Sequence, residues 1–530
     1  MPNERTHDVL IGGRWRPARH PLSFFRATDP STGEEIEGLY PLSGGADIEE
    51  ALTAAEAAVP GMARTIPGAI AEFLEAYAGA IEARAAELAA AAHRETGLPV
   101  EPRLQAVELP RAVFQLRQAA RTARDRSWCR ATIDTKADLR SKYGPLGGPV
   151  AVFGPSNFPF AYNSAAGTDF ASALAAGNPV IAKAHPCHPD TTRLFAEMAF
   201  GCLEKSGLPA AAFQVLYHIR PEDGLRLVSD PRIGASAFTG SRSGGLKLKE
   251  AADRAGRLLY LEMSSVNPVF LLPGALRERG GRIAEELFGS CTAGAGQFCT
   301  KPGLIVLLED EAGRAFFSAM KAAFSAAPAQ VLLGKSVLDR IRAGLSAMTG
   351  AGAEIAAGGN APARPGFRFE STLLRASGEA FLQSPQALQQ EAFGPVSLAV
   401  LAEDAGQMRR IAAALDGNLT AAVFSHGGDA DESLYEELAP ILRAKCGRLL
   451  NDKVPTGVAV SPAMVHGGPY PATGHPGFTA VGFPAALFRF AALHSYDHVR
   501  PRRLPPELQD RNPTGTMWRL IDGEMTQRDV

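Results

Sequence analysis

Gly294-Ala-Gly-Gln-Phe-Cys-Thr300 sets one cysteine behind a Gly-rich approach and ahead of Lys301-Pro302-Gly303. A cysteine that does chemistry must be reachable, and its thiolate must be favoured, because the thiolate is the nucleophile. The small residues at 294 and 296 let the backbone approach a bound substrate, and Phe298 can wall one side of a pocket. A buried structural cysteine is the alternative for any lone thiol. Two further segments offer partners. Leu261-Glu-Met-Ser-Ser-Val-Asn-Pro268 places Glu262 among apolar neighbours, where a raised pKa would suit a general base and a structural ion pair is the alternative. Gly154-Pro-Ser-Asn-Phe-Pro-Phe160 carries Asn157, whose amide can cap a helix or donate to a developing oxyanion.

A second group of residues suits phosphate and sugar recognition. Phe238-Thr-Gly-Ser241 ends in Gly240 and Ser241 and opens a helix with Gly244-Gly245. Backbone N–H groups at such a helix start can receive a pyrophosphate, and an ordinary Ser-capped corner is the alternative. Lys183 follows Pro179-Val-Ile-Ala182, and Glu391 stands in Gln390-Glu-Ala-Phe-Gly-Pro395 beside Phe393. Neither charge declares its role alone. His185-Pro-Cys-His188 gathers three metal-ligand types, but zinc ligand sets normally come as two spaced pairs and no second pair stands nearby. The spacing therefore assigns no metal.

These residues need strand ends and loops to hold them. From Gly148 onward the sequence alternates apolar strands (149–154, 180–184, 213–217, 233–238, 258–261) with helices (162–176, 190–206, 222–229, 246–255). That alternation predicts α/β architecture with a Rossmann-like, doubly wound parallel sheet, which binds ligands beyond the carboxyl ends of its strands. Asn157, Lys183, Gly240 and Glu262 all fall there, although no GxGxxG fingerprint is present. The alternation resumes in 267–453 (helices 283–292, 311–327 and 405–415; strands 303–308 and 397–401), which predicts a second α/β lobe. Ahead of the sheet, strand-like pieces at 10–15 and 27–33 precede amphipathic helices over 47–59, 66–96 and 103–126. The expected division is 1–131, a largely helical N-terminal part; 132–148, a connecting segment; and 149–266, the Rossmann-like core. It continues with 267–453, a second catalytic lobe; 454–500, a long loop with the apolar run 483–490; and 501–530, a surface tail.

Composition excludes several classes. A length of 530 residues calls for two or three lobes, and 46% hydrophobic with 21% charged residues describes a globular protein. A net charge of −2 leaves no basic footprint for nucleic acid or an anionic membrane. The start, Met1-Pro-Asn-Glu-Arg-Thr-His-Asp8, lacks the apolar core of a signal peptide, and no apolar run is long enough to span a bilayer. Six dispersed cysteines fit reduced thiols and a cytoplasmic location.

Taken in order, Asn157, Lys183, Phe238-Thr-Gly-Ser241, Glu262, Cys299 and Glu391-Ala-Phe-Gly-Pro395 resemble the aldehyde dehydrogenase superfamily over almost the whole chain. The resemblance implies that Cys299 attacks the aldehyde carbon to give a thiohemiacetal. It makes the Asn157 amide and the Cys299 backbone N–H the oxyanion hole, and Glu262 the base that activates the hydrolytic water. Hydride passes to NAD(P), leaving a thioester. Glu391 is then matched to the nicotinamide ribose, Lys183 to the adenosine ribose and Ser241 to the pyrophosphate. Where many NAD-specific members carry an acidic residue three positions after the lysine, this chain has Pro186, with His185 beside it. NADP is therefore the preferred cofactor, with NAD accepted.

Lys183-Ala-His-Pro-Cys-His-Pro-Asp190, Glu95-Thr-Gly-Leu-Pro99 and His466-Gly-Gly-Pro-Tyr-Pro-Ala-Thr473 resemble a branch comprising 2-oxoglutarate (α-ketoglutaric) semialdehyde dehydrogenases and bacterial NADP-dependent fatty-aldehyde dehydrogenases. The expected reaction is oxidation of 2-oxoglutarate semialdehyde to 2-oxoglutarate. Arg103 and Arg111 are candidates for the distal carboxylate, because guanidinium suits bidentate carboxylate binding, and Phe158 and Phe298 are candidate pocket walls. Three alternatives stand beside this: a medium- or long-chain aliphatic aldehyde in an apolar tunnel, acyl transfer to coenzyme A, and a catalytically silent binding homologue. The family pattern further implies that 1–131 is the N-terminal part of the cofactor-binding domain and 267–453 the catalytic domain. It also implies a homodimer or homotetramer assembled through a small β oligomerisation arm, whose first piece is 132–148 and whose second, with the run 483–490, lies in 454–500.

Overall fold

The computed structural model describes residues 6–530, so the reading of Met1–Arg5 as a polar N-terminus lies outside the described residues. The first sheet has seven strands, in the order Leu258–Glu262, Ala235–Thr239, Val150–Phe153, Val180–Lys183, Phe213–Leu216, Val9–Ile11, Arg14–Arg16. The first five are parallel, and an antiparallel hairpin from the N-terminal region extends the edge. Val150–Phe153 is the earliest of the five in sequence and pairs with both Val180–Lys183 and Ala235–Thr239. The strand order reverses at that point, so the loops bearing Asn157 and Gly240 leave the sheet side by side, where doubly wound folds bind ligands.

The second sheet, also of seven strands, runs Glu354–Ala357, Thr372–Ser377, Val396–Ala402, Leu304–Leu308, Val269–Leu271, Asn418–Phe424, Cys446–Asn451, parallel except for its first edge strand. Strands buried on both faces read as unbroken apolar runs, as Leu304–Leu308 does. Helices cover the sheets by burying one stripe each. Leu109–Asp125 buries Leu109, Ala112, Val113, Leu116, Ala119, Ala120 and Ala123, a three–four spacing, against Pro67–Ala83. Each fully buried Leu or Val contributes about 1.5–3 kcal/mol.

Several boundaries differ from expectation, each for a local reason. The helix expected over 66–96 is two, Pro67–Ala83 and Ala85–Thr96, and Gly97 in the left-handed region ends the second. The helix expected from Arg103 is regular only from Leu109, after a wide turn over Val100–Glu108. The helix expected from Tyr162 starts at Thr168, because the chain folds back on itself. A Cβ on Gly167 would stand 2.6 Å from Tyr162 backbone. Residues 27–33, expected as strand-like, contribute one isolated bridge, Thr28 to Glu35.

The C-terminal region requires two corrections. The apolar run 483–490 is not the arm strand. It forms a buried 3₁₀ turn, Ala485–Phe490, and the strand follows as Ala491–Asp497, paired with Leu139–Pro145. Residues 501–530 are not a surface tail. Arg519–Ile521 pairs in parallel with Thr132–Asp134 and antiparallel with Glu524–Thr526, completing a five-stranded sheet. Leu504, Leu508, Met517 and Ile521 bury against Cys129, Ala131 and Ile133. Strands of three residues leave too short an alternation to be visible in sequence. Among the described residues no helix is long and apolar enough to cross a membrane.

Candidate active site

Glu262 ends the last strand of the first sheet and forms an isolated antiparallel bridge with Thr473, which ties the 455–480 loop to the site. That loop delivers His466. Its Nε2 lies 3.3 Å from the Cys299 Sγ and 3.0 Å from the Glu262 Oε1, so one imidazole nitrogen bridges thiol and carboxylate. His466 and Glu262 are buried, whereas Cys299 retains some exposure. The Glu262 Oε2 is buried without a hydrogen-bond partner. Burial pushes the Cys299 thiol pKa up, Glu262 adds to the rise, and the Arg111 charge opposes it. The resting sulfur is therefore a thiol, and an adjacent proton acceptor is needed to activate it.

The cysteine loop is held from below. Asn267, in the left-handed region that Asn tolerates, donates through Nδ2 to the carbonyls of Cys299 at 2.8 Å and Lys301 at 3.0 Å. Its Oδ1 accepts from the Ser265 and Thr420 hydroxyls. Buried Lys301 donates to the carbonyls of Ala392 and Val396, fastening the same loop to the Glu391 segment. Gly296 has a positive φ and packs so closely that a Cβ there would meet the Gly394 carbonyl at 2.2 Å. The buried Asn157 donates from Nδ2 to the Gln297 carbonyl at 2.9 Å, which brings the amide to the backbone two residues before the thiol.

Beside the Cys299 loop lies a cavity of about 670 Å³ lined by Arg103, Arg111, Phe158, Phe298, Val458 and Val460, among others. Cys299 packs in one cluster with Phe158, Phe298, Val458 and Val460. Phe158 and Phe298 meet edge to face at 5.4 Å. The two arginines differ. Arg103 is ion-paired with fully buried Glu108, donates to the Asn157 carbonyl at 3.0 Å, and stacks over both rings. Glu108 also accepts from the N–H groups of Phe160 and Ala161, so this pair organises the Asn157 loop. Arg111 donates to the Val458 carbonyl at 2.9 Å and the Tyr162 hydroxyl at 3.0 Å, and its buried Nε has no partner. Among the described residues it forms no ion pair.

A second cavity, about 570 Å³, opens at the switch point and is lined by Ser241, Ser243, Ser264, Arg340, Glu391 and Asn418, among others. Ser241 caps the helix Arg242–Arg254 by accepting from the Gly244 N–H. A Cβ on Gly240, beside Ser241, would press to 2.8 Å from the Phe238 ring, so the turn there has no room for a side chain. Burial raises the Glu391 pKa to about 7, against hydrogen bonds from Ser264 and Ser265 that lower it. Phe393 packs against the core beside it. Lys183 stands at its strand end with a pKa lowered to about 8 by burial. His185 is held neutral by burial and by His188, Lys183, His218 and Arg340. The charge of Arg340 reaches both His185 and Glu391, and Arg340 and Glu391 line the cavity. An anion-ready helix start, ribose-sized polar groups and unencumbered backbone fit a dinucleotide. The His185–Cys187–His188 group does not gather around a common point: the two rings stack at 5.5 Å, and His188 Nε2 is engaged with the Pro155 carbonyl.

A partly exposed thiol beside a buried imidazole and carboxylate, on a doubly wound sheet with a polar cleft at its switch point, fits the class of dinucleotide-dependent dehydrogenases. The chain belongs to the aldehyde dehydrogenase family, whose model matches residues 15–457. It is an NAD(P)-dependent enzyme that oxidises small-molecule aldehydes. It is 41% identical to alpha-ketoglutaric semialdehyde dehydrogenase 2 of Azospirillum brasilense over 98% of this chain and 99% of that one. It is 37% identical to alpha-ketoglutaric semialdehyde dehydrogenase of Acinetobacter baylyi, over 91% and 92%. In fold it resembles aldehyde dehydrogenase C of Pseudomonas syringae, solved with NAD+ and octanal, with a TM-score of 0.80 at 21% identity over 95% and 99% of the two chains.

Three site residues escape a reading by residue type. His466 was legible only as part of a resemblance, because its partners Glu262 and Cys299 are 204 and 167 positions away. Asn267 lies in the Glu262 segment, but its work is done on a distant loop. Arg448 donates to the Pro455 and Gly457 carbonyls and so pins the loop that borders the substrate cavity. A lone arginine on an edge strand gave no signal of that.

Proposed function

We propose that the chain oxidises 2-oxoglutarate semialdehyde to 2-oxoglutarate, with NADP preferred over NAD. The observation that carries the substrate is Arg111, a half-buried guanidinium with a buried, unpartnered Nε and no carboxylate partner, lining the cavity beside the Cys299 loop. A buried charge left unpaired is costly, and a substrate carboxylate would relieve that cost. The names of the two full-length relatives support the same class. Arg103 is already neutralised by Glu108, so its role is to position Asn157 while Phe158 and Phe298 wall the aldehyde.

In this reading His466 Nε2 takes the Cys299 proton as sulfur attacks the carbonyl carbon, and the imidazolium formed is paired with Glu262 at 3.0 Å. The Asn157 amide and the Cys299 N–H receive the oxyanion. NAD(P), when bound, supplies the hydride acceptor. Glu391 would hold the nicotinamide ribose, Gly240 and Ser241 the pyrophosphate, and Lys183 with His185 the adenosine ribose. The neutral His185 and the Pro186 beside it leave no acidic group to repel a 2′-phosphate, which supports NADP. Once the imidazolium has passed the Cys299 proton to solvent, Glu262, through His466, draws a proton from water to release the acid, so free acid forms without coenzyme A.

The two large sheets support a division near residue 266, with the arm comprising 132–148 together with 491–526. The arm leaves Leu493 and Met525 exposed, which supports a homodimer or homotetramer through that sheet. Six free thiols suit the cytoplasm. A second reading rests on the apolar lining of the cavity by Val107, Phe114, Val458 and Val460, which suits an aliphatic aldehyde. Initial rates for an aldehyde panel with NAD+ and with NADP+ separate the two. Higher kcat/KM for decanal than for 2-oxoglutarate semialdehyde would overturn the first.

A further inference from the structure

The sequence spacing pointed to no metal site, yet the folded chain gathers one thiol, one imidazole and one carboxylate around a single point. Among the described residues, Glu262, Cys299 and His466 are the group whose ligand atoms all lie within 4.8 Å of one another. Sulfur and nitrogen are 3.3 Å apart, and nitrogen and oxygen 3.0 Å. Ligand atoms on a tetrahedral zinc stand about 3.3–3.6 Å from each other, as bond lengths of about 2.0–2.3 Å require. Those two pairs need only spread by a few tenths of an ångström to admit the ion, and sulfur and carboxylate oxygen lie within 4.8 Å of each other. The second carboxylate oxygen, Oε2 of Glu262, is buried and without a partner. His466 is held at its backbone by Thr479, and Glu262 by its strand, so two of the ligands are preset. Cys299 is the partly exposed member, and it packs against Phe158, Phe298 and Val458, which line the neighbouring cavity.

We infer that Cys299, His466 and Glu262 bind one thiophilic divalent cation, Zn2+ above all, and that this ion reversibly shuts off aldehyde oxidation. The donor set selects the ion: a thiolate with an imidazole suits zinc, while Mg2+ and Ca2+ prefer oxygen throughout. On binding, the Cys299 S–H bond breaks, a sulfur–zinc bond forms and the proton leaves to bulk water. No oxidant is involved. The ion occupies the nucleophile and both members of its proton relay at once, so inhibition follows whatever aldehyde the enzyme takes. A water completes the fourth position on the cavity side.

The test uses the full chain, stripped with a chelator and free of aldehyde, titrated with Co2+ as a spectroscopic probe. One Co2+ per chain is expected, with a thiolate-to-cobalt charge-transfer band that Zn2+ removes and Mg2+ does not. Cys299→Ser, His466→Ala and Glu262→Gln, each confirmed folded by circular dichroism, should weaken binding at least about 10–100-fold, the loss known for partners one shell further out. One equivalent of Zn2+ should reduce turnover at least tenfold, and EDTA should restore it. The inference is overturned by absence of the charge-transfer band, by stoichiometric binding that survives in all three variants, or by equal inhibition with Mg2+. Because the band is read without substrate, its failure leaves the assignment of the aldehyde untouched.

Discussion

The Cys299 cluster and the neighbouring cavity are built on opposite principles. In the cluster, Cys299, His466, Glu262, Asn157 and Asn267 are bound to one another or to nearby backbone before any substrate arrives. In the cavity, Arg111 holds only neutral partners and leaves one buried nitrogen unused. The chemistry is preorganised, and recognition is left open for an anion to complete. Arg103 shows the contrast within one helical stretch, since its charge is already spent on Glu108.

That contrast breaks most visibly at the thiol. Cys299→Ala should lower kcat for every aldehyde by at least about 10³-fold, as loss of a covalent nucleophile does. Steady-state rates on two dissimilar aldehydes check this, and substantial activity in the variant would refute the mechanism. His466→Asn should reduce kcat about 10²-fold, the usual scale of a general base, with KM nearly unchanged and the loss again independent of aldehyde. Arg103→Met should behave differently from any change at Arg111. It strands Glu108 as a buried unpaired charge, costing about 3–5 kcal/mol, so a thermal melt should shift sharply downward before any selectivity changes.

How much of this the sequence disclosed follows from how local each signal is. The strand ends carrying Asn157, Lys183 and Glu262 were legible because an apolar run stops beside each of them. Cys299 stood out behind the glycines on its approach, but those alone left a structural cysteine the better reading, and only the ordered partners that carry the family resemblance made it a nucleophile. His466 had no such signal by residue type, since the Glu262–Thr473 bridge and the Met263 N–H to Ala472 carbonyl bond tie its loop to the site from far along the chain. The unequal charges of Arg103 and Arg111 were equally hidden: both sit on polar helical sequence, and only folding gives one of them Glu108. Residues 501–530 were misjudged because their pairing partner, Thr132–Asp134, is remote in sequence.

The cofactor side sharpens the comparison through pH. Burial lowers the Lys183 pKa to about 8, so the free enzyme loses that cation as pH rises through 8. If Lys183 meets a 2′-phosphate, the Kd for NADP+ should rise above pH 8 more steeply than that for NAD+. Calorimetric titrations at pH 7 and 9 measure it, and parallel curves would remove Lys183 from that contact. For stability the sign is opposite: the native state binds fewer protons at Lys183 than the unfolded chain between 8 and 10.5, so this group favours the fold increasingly as pH rises across that window.

The account turns on Arg111 as the reader of a distal carboxylate. The direct measurement is kcat/KM for 2-oxoglutarate semialdehyde and for decanal, in the wild type and in Arg111→Met. Losing a charged hydrogen-bonding partner worth about 1.5–3 kcal/mol should cut the semialdehyde value about 10–100-fold, chiefly through KM, while the decanal value holds or improves. A ratio of the two that does not move on substitution would contradict the assignment.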